Sequence, residues 1–286
     1  MTKEDTKYVR DTLENSMQDH RHGEILAWLS KSDFSAQQSD VLSRRQEGTG
    51  NWFIRSDEFQ SWLRQPNGTL FCPGMPGAGK TMISAIAIDH ISQDAHVDQS
   101  KYGLAYLYCN YKAQGEQTAL HLLSTIVQQL VHFRPSAIGP VTELYDQHTP
   151  RKTRPTLEEI VQCLQRVLSE HSAIYLIIDA LDECQVEHDT RNTLLRTIQS
   201  LQNSADLRLM VTSRFNTDIQ SRFTNTACLE VRAAKEDVRR YIICHRSRLP
   251  RCIQNDDELF ASVQTTIADT VDGMSVSTSI GGKPPC

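Results

Sequence analysis

Thr69-Leu70-Phe71-Cys72-Pro73-Gly74-Met75-Pro76-Gly77-Ala78-Gly79-Lys80-Thr81 is the stretch that decides how this chain folds. Thr69 to Cys72 read as a short buried strand. Gly74 to Thr81 then match G-x-x-x-x-G-K-[ST], and Met82-Ile83-Ser84-Ala85-Ile86-Ala87-Ile88 continue as a helix. Strand, glycine loop and helix in that order are the setting of a phosphate-binding loop. In such a loop Gly74, Met75, Pro76, Gly77, Ala78, Gly79, Lys80 and Thr81 wrap a polyphosphate. The glycines let backbone N–H groups turn inward where a Cβ would obstruct the approach. The helix N-terminus adds free N–H groups and partial positive charge. Lys80 reaches the β- and γ-phosphates, and the Thr81 hydroxyl ligates Mg²⁺. A chance match in a glycine loop is the competing reading; the strand before and the helix after count against it. The expected ligand is ATP or GTP with Mg²⁺, bound by this chain or by the ancestor it descends from.

A phosphate loop alone leaves the metal and the attacking water unhandled. Tyr175-Leu176-Ile177-Ile178-Asp179-Ala180-Leu181-Asp182-Glu183 supplies the remainder. Four apolar residues before an acid describe a buried strand that delivers a carboxylate to its C-terminal tip, the edge where ligands collect in such sheets. Asp179 is expected to hold Mg²⁺, usually through water. Asp182 and Glu183 lie on the loop beyond, where they would orient or deprotonate water. One acid after a strand is commonplace. Three at this spacing, downstream of a phosphate loop, are far more specific. Arg214 ends the run Leu207 to Arg214. It either reads the γ-phosphate from the side, with Thr212 and Ser213 nearby, or is simply solvated. Asn110 and Tyr111 are weaker candidates for placing water.

At 286 residues the chain has room for one large α/β domain with small helical additions. Charged residues at 23% and apolar ones at 39% are ordinary for a soluble globular protein. A net charge of −5 gives no reason to expect nucleic acid or an anionic membrane as partner. Arg239, Arg240, Arg246, Arg248 and Arg251 cluster, and read as a solvated helix face. The longest apolar stretch, Ala173 to Ile178, is too short to span a bilayer, and no leading segment resembles a signal peptide. Eight scattered cysteines suit buried thiols in a reducing compartment, and Cys244-His245 with Cys252 lack the spacing of a zinc site. A cytoplasmic protein is expected, without a nucleic-acid or membrane partner.

Strands are expected at 69–72, 104–109, 173–179, 207–214 and 227–231, alternating with helices. That alternation indicates a parallel sheet covered on both faces. Helices are expected near 4–30, 81–93, 116–133, 136–147, 190–202, 235–249 and 255–272, with a short one around Phe59 to Leu63. Thr156 and Glu159 have capping-box spacing and start another, which carries Ile160, Leu164 and Leu168 on one face. Ser32 to Asp40 reads as a polar linker. Residues 1–40 therefore form a helical segment and linker, 41–232 the nucleotide-binding domain, and 233–274 the start of a helical subdomain. Residues 275–286 form a low-complexity tail, expected to be disordered.

Five segments recur together in a known group: Gly48-Thr49-Gly50-Asn51-Trp52-Phe53, Phe71 to Thr81, Tyr108-Cys109-Asn110-Tyr111-Lys112, Ile177 to Cys184, and Thr212-Ser213-Arg214. On their order and spacing the chain, from about residue 40 to 274, resembles the NACHT-type P-loop domains of fungal STAND proteins. It comes close to their nephrocystin-3-like N-terminal module. The resemblance implies an ASCE-type P-loop NTPase, with five parallel strands ordered 5-1-4-3-2 and flanking helices. It also implies a conformational switch with slow ATP or GTP hydrolysis at most. The open form of such a switch assembles with other copies or with full-length relatives, in innate immunity or heterokaryon incompatibility. Gly48, Gly50 and Trp52 would then lie near the nucleotide base, unless Trp52 packs in the core. The pattern departs after Asp272-Gly273-Met274, where Ser275 onward is polar and no winged helix or repeat array is legible. A truncated or alternatively spliced form is expected on that ground. With it comes a second reading, a non-hydrolysing interaction or scaffold module. A third, a metabolic kinase or motor ATPase, is weakened by the lack of an acceptor-substrate motif.

Overall fold

The computed structural model describes residues 17–93, 101–113, 115–185 and 189–276. The chain opens with α1 (residues 17–29), α2 (Ser35–Ser43), α3 (Asn51–Ile54) and α4 (Asp57–Arg64). Then β1 (Thr69–Pro73), α5 (Lys80–Gln93), β2 (Tyr102–Tyr108), α6 (Ala119–Phe133), α7 (Gly139–His148) and α8 (Leu157–Ser169) follow. The second half runs through β3 (Ala173–Asp179), α9 (Thr190–Gln202), β4 (Leu207–Ser213), α10 (Thr217–Arg222) and β5 (Ala227–Cys228). It closes with α11 (Lys235–Cys244), α12 (Arg251–Gln254) and α13 (Asp257–Val276).

The five strands form one parallel sheet ordered β2-β3-β4-β1-β5, which read from the other edge is 5-1-4-3-2. Every residue of β3 and of β4 is buried. Successive strand residues point to opposite faces, so both faces of these strands are covered. This is the ASCE P-loop NTPase fold. Because all strands run the same way, their C-terminal ends share one edge. Pro73 stands beside Ser213, and Tyr108 beside Asp179.

Local chemistry fixes the helix starts. Thr156 and Glu159 close the expected capping box at α8: the Thr156 hydroxyl accepts the Glu159 N–H, and the glutamate accepts the Thr156 N–H at 2.7 Å. Ser56 caps α4 through the Phe59 N–H. α4 thereby turns Phe59 and Trp62 inward, where Phe53, Phe59, Trp62 and Tyr175 form a chain of rings with centroids 4.9 to 5.7 Å apart. That aromatic wedge ties the N-terminal helices to β3.

Several expectations need correcting. The stretch Ser32 to Asp40 is no linker, because α2 begins at Ser35 within it. α2 has no apolar stripe to betray it; its one buried residue is Gln38, held by tertiary hydrogen bonds. Gln38 Nε2 donates to the Ala85 carbonyl at 2.9 Å, and the Tyr108 hydroxyl donates to Gln38 Oε1. The fifth strand is shorter than 227–231, but the backbone stays paired beyond it: Leu229 N–H reaches Phe71 O at 2.9 Å and Val231 N–H reaches Pro73 O at 2.7 Å. The helix expected over 235–249 stops at Cys244. Arg246–Arg248 form a separate turn, with Arg246 paired to Asp257 at 2.6 Å. Residues 275 and 276, placed in the tail, still belong to α13. The expected helical start at residues 4–16 and the tail from 277 lie outside the described residues.

Candidate functional site

β1 ends at Pro73, and the chain turns at once into the glycine loop before α5 starts at Lys80. Gly74 is needed for close approach: a Cβ there would stand 2.5 Å from the Val231 carbonyl oxygen. Gly77 and Gly79 are needed for conformation, with φ of 79° and 92° in the region L side chains rarely adopt. The loop is pinned at its base by the Gly74 N–H, which donates to Ser213 O at 3.1 Å. Its mouth lies over the first turn of α5, where helix N–H groups have no intrahelical partner. Lys80 folds back over the loop and donates from Nζ to the carbonyls of Gly74 (2.8 Å) and Met75 (2.9 Å). Burial pulls the Lys80 ammonium below the usual lysine range, and the Asp182 charge pushes the other way. A phosphate arriving here would supply the negative charge that two neutral carbonyls do not.

Asp179, the last residue of β3, is 3% exposed. Its Oδ2 accepts the Thr81 hydroxyl at 2.8 Å, and its Oδ1 accepts those of Ser84 (2.9 Å) and Thr212 (2.6 Å). Burial pushes this carboxyl up from the usual carboxylate range, and the hydroxyls of Thr212, Thr81 and Ser84 draw it back. The ligating atoms at this point are oxygens: the Thr81 hydroxyl lines a cavity, and the Asp179 carboxylate is bonded directly to it. Such a hard-oxygen set fits Mg²⁺, which keeps several of its waters.

Beyond Asp179 the chain passes through Ala180 in the left-handed conformation (φ 54°, ψ 51°) and into a short turn over Leu181–Glu183. That turn lifts Asp182 and Glu183 to the end of β4, where Arg214 meets both. The Arg214 N–H donates to Asp182 Oδ1 at 2.9 Å, Nε lies 3.3 Å from Asp182 Oδ2, and Nη2 donates to Glu183 Oε1 at 2.9 Å. The guanidinium is half exposed while the acids are more enclosed, at 11% and 23% for their side chains.

The sequence-derived residues therefore come together. A cavity of about 310 Å³ is lined by Pro76, Gly77, Gly79, Lys80, Thr81, Met82, Ala180, Asp182, Glu183 and Arg214. Gly74 and Met75 face Lys80 through their carbonyls, and Ala78 closes the loop through its N–H to Met75 O at 3.2 Å. Asn110 and Tyr111 lie nearby, with the Tyr111 N–H 3.5 Å from Glu183 Oε2. Gly48, Gly50 and Trp52 lie outside this cavity. The Gly50 N–H donates to Asp237 Oδ2 of α11 at 2.8 Å, and Trp52 packs edge-on against Phe53. One residue of the cluster had no role in the sequence reading: Ser84, a helical turn beyond Thr81 and so on the same face; Asp237, which holds Gly50 away from the cavity, was likewise unread. A larger cavity of about 900 Å³ between α1, α2, α5, β2 and α6 is lined by none of the phosphate-loop residues and by none of Asp179, Asp182 and Glu183.

Residues 48–214 match the family described as nephrocystin 3, N-terminal, well over half of the chain. The chain belongs to this family. A curated relative, the vegetative incompatibility protein HET-E-1 of Podospora anserina, is 27% identical over 190 residues. That alignment takes in 65% of this chain and only 14% of the relative, so most of HET-E-1 has no counterpart here. Among solved structures, DnaA of Aquifex aeolicus bound to AMPPCP is 13% identical, with a TM-score of 0.43 over 84% of this chain and 64% of that one. The Aeropyrum pernix ORC1 protein in complex with DNA is 14% identical, with a TM-score of 0.44 over 68% and 48%. Overlaps this partial say nothing of a ligand or partner. Together, the family and the strand–loop–helix geometry make this nephrocystin-3-like, NACHT-type chain a nucleotide-binding module of P-loop NTPase type. Among the described residues, no helix is long and apolar enough to cross a membrane.

Proposed function

We propose that the module is the nucleotide switch of a cytoplasmic signalling NTPase, taking ATP or GTP with Mg²⁺ and turning it over slowly at most. The observation that carries this is the single cavity enclosed by the glycine loop, Lys80, Thr81, Asp182, Glu183 and Arg214, with Asp179 beside it. Lys80 binds the β- and γ-phosphates, and Thr81 with Asp179 holds the metal, whose positive charge would neutralise the phosphates. Glu183 or Asp182 orients the attacking water, and Arg214 senses the γ-phosphate. The partners expected are further copies of the chain or full-length relatives, in a response of the incompatibility kind that the name of HET-E-1 suggests, or in innate immunity, as the resemblance to fungal STAND proteins implies.

The test is to extract the purified protein with acid, identify any nucleotide released, and follow turnover with Mg²⁺. Lys80→Ala should abolish nucleotide binding. Glu183→Gln should retain binding and lose whatever turnover the parent shows. Unchanged affinity in the lysine variant would sink the site assignment. A second reading has an observation of its own: Asp182 and Glu183 are both engaged by Arg214. If that pairing persists with nucleotide bound, the guanidinium weakens both acids as bases toward water, and the chain is a non-hydrolysing scaffold. Binding without turnover, with co-purification of a larger homologue, would favour it.

A further inference from the structure

Asp179 receives three hydroxyls from two elements, divided unequally between its oxygens. Oδ1 accepts two, from Ser84 on α5 at 2.9 Å and from Thr212 on β4 at 2.6 Å. Oδ2 accepts one, from Thr81 at 2.8 Å. A carboxylate oxygen has about two lone-pair sites. Oδ1 is therefore filled, and Oδ2 retains the one open site of the carboxylate.

The proton directions are also fixed. Thr212 Oγ1 accepts the Ala180 N–H at 2.9 Å, so its single proton is directed to Asp179. Ser84 is fully buried, and Asp179 is the partner to which it donates. Thr81, by giving its proton to Oδ2, keeps its own lone pairs free on the cavity side. Ser84 and Thr212 are fully buried and neither lines the cavity, so neither is placed to touch nucleotide, whereas Asp179 Oδ2 is bonded to Thr81, which does line it.

We propose that Ser84 and Thr212 are positioning residues for the divalent cation: by saturating Oδ1 they lock the carboxylate so that Oδ2 alone faces Thr81 and the metal. The inference rests on the nucleotide–Mg²⁺ reading above. Hydroxyls behind a metal-binding carboxylate act as an outer shell, whose loss typically weakens metal affinity by about 10- to 100-fold. Without Ser84 or Thr212 the carboxylate can rotate about its last torsion and present either oxygen.

The experiment titrates MgCl₂ against the full chain at fixed fluorescent ATP, and in parallel GTP, and repeats the nucleotide titration in EDTA. Ser84→Ala and Thr212→Val, the second close to isosteric, should each raise the half-saturating Mg²⁺ by roughly tenfold or more. Affinity in EDTA should stay at the parent value, and Ser84→Thr and Thr212→Ser should recover most of the loss. A general packing defect would lower affinity equally with and without Mg²⁺, and that result overturns the proposal. Parent-like Mg²⁺ dependence in a folded Ser84→Ala or Thr212→Val overturns it too, while leaving the nucleotide site intact. If the parent protein itself shows no Mg²⁺-dependent binding, or Lys80→Ala binds as the parent does, the underlying reading fails and the inference falls with it.

Discussion

Arg214→Ala separates the γ-phosphate from the rest of the nucleotide. In the structure its guanidinium contacts Asp182 at 3.3 Å and Glu183 at 2.9 Å, and is 52% exposed. Pairs this open to water are worth about 0.2–1 kcal/mol each after screening, so the two together contribute roughly 1 kcal/mol to the nucleotide-free fold. A charge-assisted hydrogen bond to a phosphate oxygen is worth about 1.5–3 kcal/mol. To reach a γ-phosphate the arginine must give up the acids, and the net gain is then about 0.5–2 kcal/mol. At about 1.4 kcal/mol per decade, Arg214→Ala should weaken triphosphate binding by roughly 2- to 30-fold. Diphosphate affinity should hardly move, because no γ-phosphate is present. Calorimetric titration with both forms, on protein first stripped of nucleotide, reads the two numbers directly. A melting-point drop of about 2–4 °C should accompany the roughly 1 kcal/mol lost from the empty protein. Equal loss for di- and triphosphate, or none for the triphosphate, would show that Arg214 only braces the acidic turn.

Gly74→Ala should cost about 1–3 kcal/mol, since its Cβ would stand 2.5 Å from a backbone oxygen, that of Val231, and force β5 and β1 apart. Gly77→Ala has open space around it, and should cost only the conformational penalty of about 1 kcal/mol for φ 79°. Denaturant melts of the two variants side by side check the order, and reversal would refute it. A third expectation concerns acid. Burial holds the His171 imidazole below the usual histidine value of 6.5, opposed by its bond to the Val167 carbonyl. The unfolded chain therefore binds more protons than the folded one just below pH 6.5, and stability should fall as pH drops through that window. His171→Gln should flatten this slope in melts taken between pH 7 and 5, and an unaltered slope would refute the assignment.

What the sequence disclosed about this molecule follows the range of the forces involved. The glycine loop, the buried run Ala173–Asp179 and the capping box at Thr156 are local devices, so their residues announce them without reference to the rest of the chain. Strand order is different: nothing in the pattern of β1 says that β4 and β5 flank it, and 5-1-4-3-2 came from resemblance to a family. α2 was hidden for a related reason. Its anchor is a polar residue, Gln38, satisfied by Ala85 and Tyr108, 47 and 70 residues away, and an apolar periodicity cannot report such a bond. In the site itself, each residue with a chemical role in the motif was readable. Ser84 and Thr212 were not assigned to Asp179, because a hydroxyl carries no mark of the carboxylate it will meet.

The bond between the Gly50 N–H and the Asp237 carboxylate spans 187 residues and joins the entrance of the sheet domain to α11. That amide cannot swap its proton for deuterium until the Asp237 carboxylate lets go and water takes its place. One backbone proton thus serves as a clock for that contact. Its exchange rate, read with and without nucleotide, times the opening of that one contact.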